Sequence, residues 1–164
     1  MKEISCCFTG HRILPRDRIE DIRNATREQI ELAYENGYRR FLCGGALGYD
    51  TLCALLVLEM RRSLPDIKLI LVYPCMEQDA MWSERDRQIY RDVYARCDEC
   101  YCVSELYTEG CMHKRNRIMV DSSSMLIACI EKKSGGAAYT YDYALKAGIK
   151  TVNVYDGGKY AGKR

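Results

Sequence analysis

The sequence predicts a single α/β domain: a mostly parallel sheet of about six strands, covered by helices on both faces. Three observations predict it. Short apolar runs alternate with segments of helical periodicity along nearly the whole chain. The apolar runs are continuous rather than alternating, as in strands buried on both faces. Glycine-rich turns follow several of these runs directly, and helical patterns follow the turns.

The elements come in order. Ile4 to Thr9 is short, apolar and β-prone, and ends at Gly10. Ile19, Ile22, Thr26, Ile30 and Ala33 recur at helical spacing up to Asn36-Gly37. Arg40 to Cys43 is a second strand, closed by Gly44-Gly45-Ala46-Leu47-Gly48. Thr51 to Arg62 is helical, and Lys68 to Tyr73 is a third strand stopped by Pro74. Ser83 to Arg96 is helical, and Ser83 with Asp86 resembles a capping box. Glu99 to Val103 is a fourth strand, Gly110 to Asp121 a helix, and Met125 to Ile130 a fifth strand. The second glycine turn, Ser134-Gly135-Gly136, opens a helix that runs to Ala147, with Gly148 as its C-terminal cap. Thr151 to Val154 is the sixth strand. The reading is one domain over residues 1–156 and a flexible glycine- and lysine-rich tail over 157–164.

Bulk composition narrows the function. The 164 residues suit one domain with a real core. Twenty-five basic against 23 acidic residues leave a net charge of +2, which argues against a nucleic-acid binder by bulk electrostatics while leaving a local patch open. No apolar stretch approaches a membrane span, and Met1-Lys2-Glu3-Ile4-Ser5 lacks a signal-peptide core, so the expectation is a cytoplasmic protein. The ten scattered cysteines read as reduced, mostly buried thiols, with a metal or redox role for Cys97 and Cys100 as the alternative. No metal-ligand set and no Ser-His-Asp set is legible.

In a parallel sheet a ligand sits outside the carboxyl ends of the strands, and every unusual loop falls there. Thr9, Gly10, His11 and Arg12 put a hydroxyl, a flexible backbone, an imidazole and a guanidinium into four residues. They read as an exposed polar turn, or as a binding loop in which Arg12 grips phosphate. The turn with Gly44, Gly45 and Gly48 is neither a dinucleotide fingerprint nor a P-loop. It reads as a tight crossover or as a cradle of backbone N–H groups for an anion. Asp50 suits the helix dipole and is also a candidate for a ribose hydroxyl. On Met112-His113-Lys114-Arg115-Asn116-Arg117, Asn116 shares an apolar stripe with Met112, Met119 and Val120 and must find hydrogen bonds. Lys114, Arg115 and Arg117 neutralise phosphate or form a solvated basic face. Trp82 reads as a core or lid anchor, with stacking on a base as the alternative.

Four motifs occur in order: FTGHR at 8–12, GGALGYD at 44–50, MHKRNRIMVD at 112–121 and GGAAYT at 135–140. This set resembles the YpsA-like branch of the SLOG superfamily, Rossmann-like proteins related to DprA and to the LOG phosphoribohydrolases. The resemblance implies a bound nucleotide, ADP-ribose- or NAD-like, held by Thr9, Gly10, His11, Arg12, Gly44, Gly45, Gly48, Asp50, Asn116, Gly135, Gly136 and Thr140. It also implies a link with bacterial cell division through a protein partner, and a homodimer. Two rival activities follow from the same resemblance. One is a LOG-like N-glycosidase with Arg115 and Asp142 as catalytic residues. However, Ser134, Ala138, Tyr139 and Asp142 depart from the PGGxGTxxE loop, and an acid shorter by one methylene misplaces the carboxylate. The other is single-stranded DNA binding, by the DprA relationship. The expected role is therefore a nucleotide-binding sensor or regulator.

Overall fold

The central apolar runs have no polar side to offer water, so they become strands covered on both faces, while the edge strand over Glu99–Ser104 is half-buried to exposed. In a computed structural model, which describes residues 1–156 and the backbone of 159–160, the strands are β1 (Ser5–Gly10), β2 (Arg40–Cys43), β3 (Lys68–Cys75), β4 (Glu99–Ser104), β5 (Met125–Cys129) and β6 (Lys150–Asn153). All six pair in parallel, in the order β4-β3-β2-β1-β5-β6. The helices are α1 (Ile19–Glu35), α2 (Tyr49–Met60), α3 (Glu84–Arg96), α4 (Cys111–Asp121) and α5 (Gly136–Ala147). The predicted α/β class and its element order hold throughout.

The connections build outward from β1 to β4 and then return to β5 on the other side of β1. The helices divide with them. Ile22 and Ile30 of α1, Tyr49 and Val57 of α2 and Val93 of α3 pack with Phe8, Phe41 and Leu69 in one core. Met119 and Val120 of α4 and Ala144 of α5 pack with Cys7, Leu42 and Leu126 in the other. The strand order therefore reverses between β1 and β5, and a crevice opens there at the carboxyl ends.

Among the differences from expectation, most of them shifts of a residue or two, three have clear reasons. β3 continues through Pro74 to Cys75, because β2 pairs with it only as far as Leu71 and the missing proline N–H has no neighbour to bond. α2 starts two residues early, since Gly48 carries the turn. A seventh strand, β7 (Lys159–Tyr160), adds an antiparallel edge to β6 inside the segment read as a tail. The rest of that tail, 157–158 and 161–164, lies outside the described residues. Ser83 caps α3, its hydroxyl accepting from the Asp86 N–H at 3.2 Å, and Gly148 closes α5 in a left-handed conformation. Seven of the ten cysteines are buried, and all ten are free thiols. Trp82 packs edge-on to Tyr90 at 5.4 Å, the anchor role.

The first two motifs interlock. The His11 carbonyl accepts from the Tyr49 N–H at 3.1 Å, and the buried Tyr49 hydroxyl meets Thr26 Oγ1 at 2.9 Å. Gly10 lies against the Tyr49 ring. Gly48 has φ +78°, and a side chain there would strike the Arg12 carbonyl. The Gly48→Ala protein should lose about 2–4 kcal/mol, combining the left-handed strain with a backbone clash. Chemical denaturation measures this; wild-type stability for Gly48→Ala would show that the two loops do not bear on each other.

Candidate functional site at the strand switch

A cleft of about 520 Å³ opens where the strand order reverses. Thr9, Gly10, His11 and Arg12 come to it from β1 and its loop, and Ala46 and Asp50 from the β2–α2 turn. Tyr107 reaches it from the β4–α4 loop, Met112, His113, Arg115 and Asn116 from α4, and Gly136 and Ala137 from the start of α5. Eight residues singled out in the sequence thus meet: Thr9, Gly10, His11, Arg12, Asp50, Arg115, Asn116 and Gly136. The volume matches a small-molecule site.

The floor is built around a buried guanidinium. Arg115 is only 3% exposed. Its Nη1 donates to the Gly44 carbonyl at 2.6 Å, with Val72 O at 3.4 Å and Gln78 Oε1 at 3.5 Å, while Nε donates to Asn116 Oδ1 at 2.6 Å. It is not part of a solvated basic face; Lys114 beside it is. Burial lowers its pKa and the nearby Asp50 carboxylate opposes that. Asp50 is 7% exposed, and its Oδ2 accepts from the Ala46 N–H at 3.3 Å. Burial pushes its carboxyl up to about 6, although Arg115, the Ala46 N–H and Arg12 all favour the charged form.

The two glycine turns have different surroundings. A β-carbon on Gly44 would lie 2.6 Å from Arg115 Nη1 and 2.9 Å from Asp50 Oδ2. Gly44, Gly45 and Gly48 do not line the cleft, and the turn's polar groups serve the protein: the Gly44 carbonyl takes Arg115 and also Gln78 Nε2 at 3.3 Å. Gly136, by contrast, is exposed, with nothing within 4 Å of where its β-carbon would stand. α5 has no side-chain cap and no acid in its first turn. Its first N–H groups have no intrahelical acceptor, and Gly136 and Ala137 line the cleft.

The remaining candidates lie outside the cleft lining. Gly135 is the N-cap of α5. Thr140 is buried, its hydroxyl donating to the Gly136 carbonyl at 2.9 Å. Asp142 is exposed further along α5, so Arg115 and Asp142 do not share the cleft. Within the lining, Arg12 is exposed, with Nη2 3.3 Å from Met112 Sδ. Sequence reasoning did not single out Tyr107, 65% exposed at the mouth, because an aromatic in an irregular loop carries no periodic signal. Among the described residues no group of His, Cys, Asp and Glu is placed to hold a metal, and no helix is long and apolar enough to cross a membrane.

The family model YpsA, described as the YspA SLOG family, matches residues 13–156. The chain belongs to this family. It is 30% identical over 141 residues to the SPbeta prophage-derived protein YoqJ of Bacillus subtilis, covering 79% of this chain and 81% of that one. It is also 30% identical over 128 residues to a UPF0398 protein of Halalkalibacterium halodurans, covering 76% of this chain and 68% of the relative. Among solved structures, DprA of Helicobacter pylori, described for its single-stranded DNA binding mode, superposes with a TM-score of 0.65 at 18% identity over 92% of this chain. DprA of Streptococcus pneumoniae does so with 0.66 at 17% identity, again over 92%. This chain spans 64% and 50% of those two proteins, and the likeness is one of fold.

The raised Asp50 pKa has a definite sign. Between about pH 4 and 6 the folded state binds more protons here than the unfolded chain. This group's contribution to stability therefore grows as pH falls through 6. A carboxyl-carbon NMR titration should place Asp50 near 6, and Arg12→Met should raise it further. A midpoint near 4 would mean that the carboxylate is hydrated.

Proposed function

We propose that the cleft binds a nucleotide and that the protein acts as a nucleotide-responsive sensor or regulator. One observation carries the reading: an uncapped, acid-free helix N-terminus with a bare glycine shares a cleft with a buried carboxylate. The first-turn amides of α5 suit a phosphate. Asp50 repels phosphate and suits hydroxyl donors, so the sugar lies towards α2 and α4, with Asn116 beside it. Exposed Tyr107 offers a stacking face for a base. ADP-ribose, NAD and AMP all combine these parts. The exposed position of Asp142 supports holding a nucleotide over cleaving its glycosidic bond.

A second reading has its own observation. An open groove beside the cleft is lined by His113, Lys114, Arg117 and Tyr139, with the His113 and Tyr139 rings 4.5 Å apart. Local charge and stacking of this kind suit a single strand of nucleic acid despite the near-neutral total charge. Steep salt dependence of oligonucleotide binding would mark it. The link with cell division implied by the family resemblance would place a protein partner against exposed apolar side chains such as Ile13, Met76, Met81 and Leu106.

Calorimetry and thermal shift with ADP-ribose, NAD and AMP test the lead reading. At one hundred times Kd, linkage stabilises by about 2.7 kcal/mol, a rise of roughly 5–10 °C. Gly136→Asp should abolish that rise while leaving the free protein as stable or more so, since an acid suits a helix start but repels phosphate. No shift with any of the three at millimolar concentration would overturn the proposal, and loss of intact AMP on long incubation would overturn the non-hydrolytic role.

A further inference from the structure

His11 stands where β1 gives way to its loop, beside the end of β5. Its Nε2 accepts two backbone N–H groups, from Glu131 at 2.9 Å and from Lys132 at 3.1 Å. A ring nitrogen that accepts carries no proton, so this imidazole is neutral with its hydrogen on Nδ1. The two amides open the loop that leads from β5 into α5. His11 lines both the 520 Å³ cleft and a recess of about 220 Å³ shared with Leu14, Pro15 and Tyr155. A single titratable ring thus joins the two loops that flank the strand switch, four residues before the first cleft-facing amide of α5.

We propose that His11 is a proton-sensitive positioning residue: its neutral ring latches the β5–α5 loop so that the first turn of α5 faces the cleft, and protonation of Nε2 releases it. An imidazolium presents a donor to two donors, so both hydrogen bonds are lost together. The titratable and charged groups that share these two cavities with the ring are Lys132 and Glu131 from the loop, Arg12 from its own loop, and, across the cleft, Asp50 of α2 and His113 and Arg115 of α4. Burial and then Lys132 lower the His11 pKa, with Glu131 opposing. The latch therefore contributes its full stability above about pH 6.5 and loses it as pH falls through the lowered value. Its effect on ligand affinity rests on the nucleotide reading; the latch itself does not.

Amide hydrogen exchange of the ligand-free protein, corrected for the intrinsic pH dependence, tests the latch directly. In wild type the Glu131 and Lys132 amides should be protected at pH 7.5 and lose at least about tenfold of that protection by pH 5. His11→Gln, whose Oε1 reaches the same amides and does not titrate, should keep the protection across the range. His11→Ala should lack it throughout. AMP affinity should fall about tenfold more between pH 7.5 and 5 in wild type than in His11→Gln. Asp50 and the phosphate titrate equally in both proteins, so this comparison isolates His11. Protection that ignores pH in wild type, or that falls equally in His11→Gln, would overturn the latch. If AMP binds neither protein, the nucleotide reading fails while the exchange data still decide on His11.

Discussion

The floor of the cleft depends on one buried charge. An unpaired guanidinium inside a protein costs several kcal/mol unless its donors are satisfied and an opposite charge stands near. Arg115 meets both conditions by drawing three elements to itself: the end of β2 through Gly44, β3 and the turn after it through Val72 and Gln78, and its own helix through Asn116. Asp50, beside the same face of Gly44, supplies the compensating charge. Gly44 must stay bare because both side chains approach its Cα. Helix α4 is thereby pinned to the carboxyl ends of the central strands, and with it His113 and Asn116 in the cleft wall.

That arrangement separates the polar groups already in use from those left available. The β2–α2 turn directs its carbonyl and amide groups inward, to Arg115, Gln78 and Asp50. The β5–α5 turn directs its open glycine and uncapped amides outward. Two similar glycine-rich strings therefore differ in their surroundings, one making room for side chains and the other standing open beside the cleft. Asp50 lies between them: a buried carboxyl with its pKa pushed up to about 6 lines the same cleft as the open start of α5, and the nucleotide proposal rests on that pairing.

Much of the fold was legible because the central strands β1, β3 and β5 are largely continuous apolar runs and most helices carry their own period and stops. The site was legible in part. Loops at the carboxyl ends of parallel strands converge, so Thr9 to Arg12, Asp50, Arg115, Asn116 and Gly136 could be named together. What could not be read is what fills the space beside a glycine. Gly44 is bare for Arg115 and Asp50, and a bare position reads the same whether a side chain or a ligand approaches it. Arg115 also sits amid Lys114 and Arg117, and only the packing of α4 distinguishes the buried member of that basic run from exposed Lys114 and half-buried Arg117. Asp142 matched a motif position, yet helical rotation carries it to the exposed side of α5.

A crystal structure grown with ADP-ribose decides the matter most directly. The account predicts a phosphate within hydrogen-bond distance of the Gly136 and Ala137 amides, with sugar hydroxyls on Asp50 and Arg115 still bonded to the Gly44 carbonyl. A ligand seated on the β2–α2 turn with Arg115 swung out to meet it, or seated away from the β1–β5 switch, would contradict it.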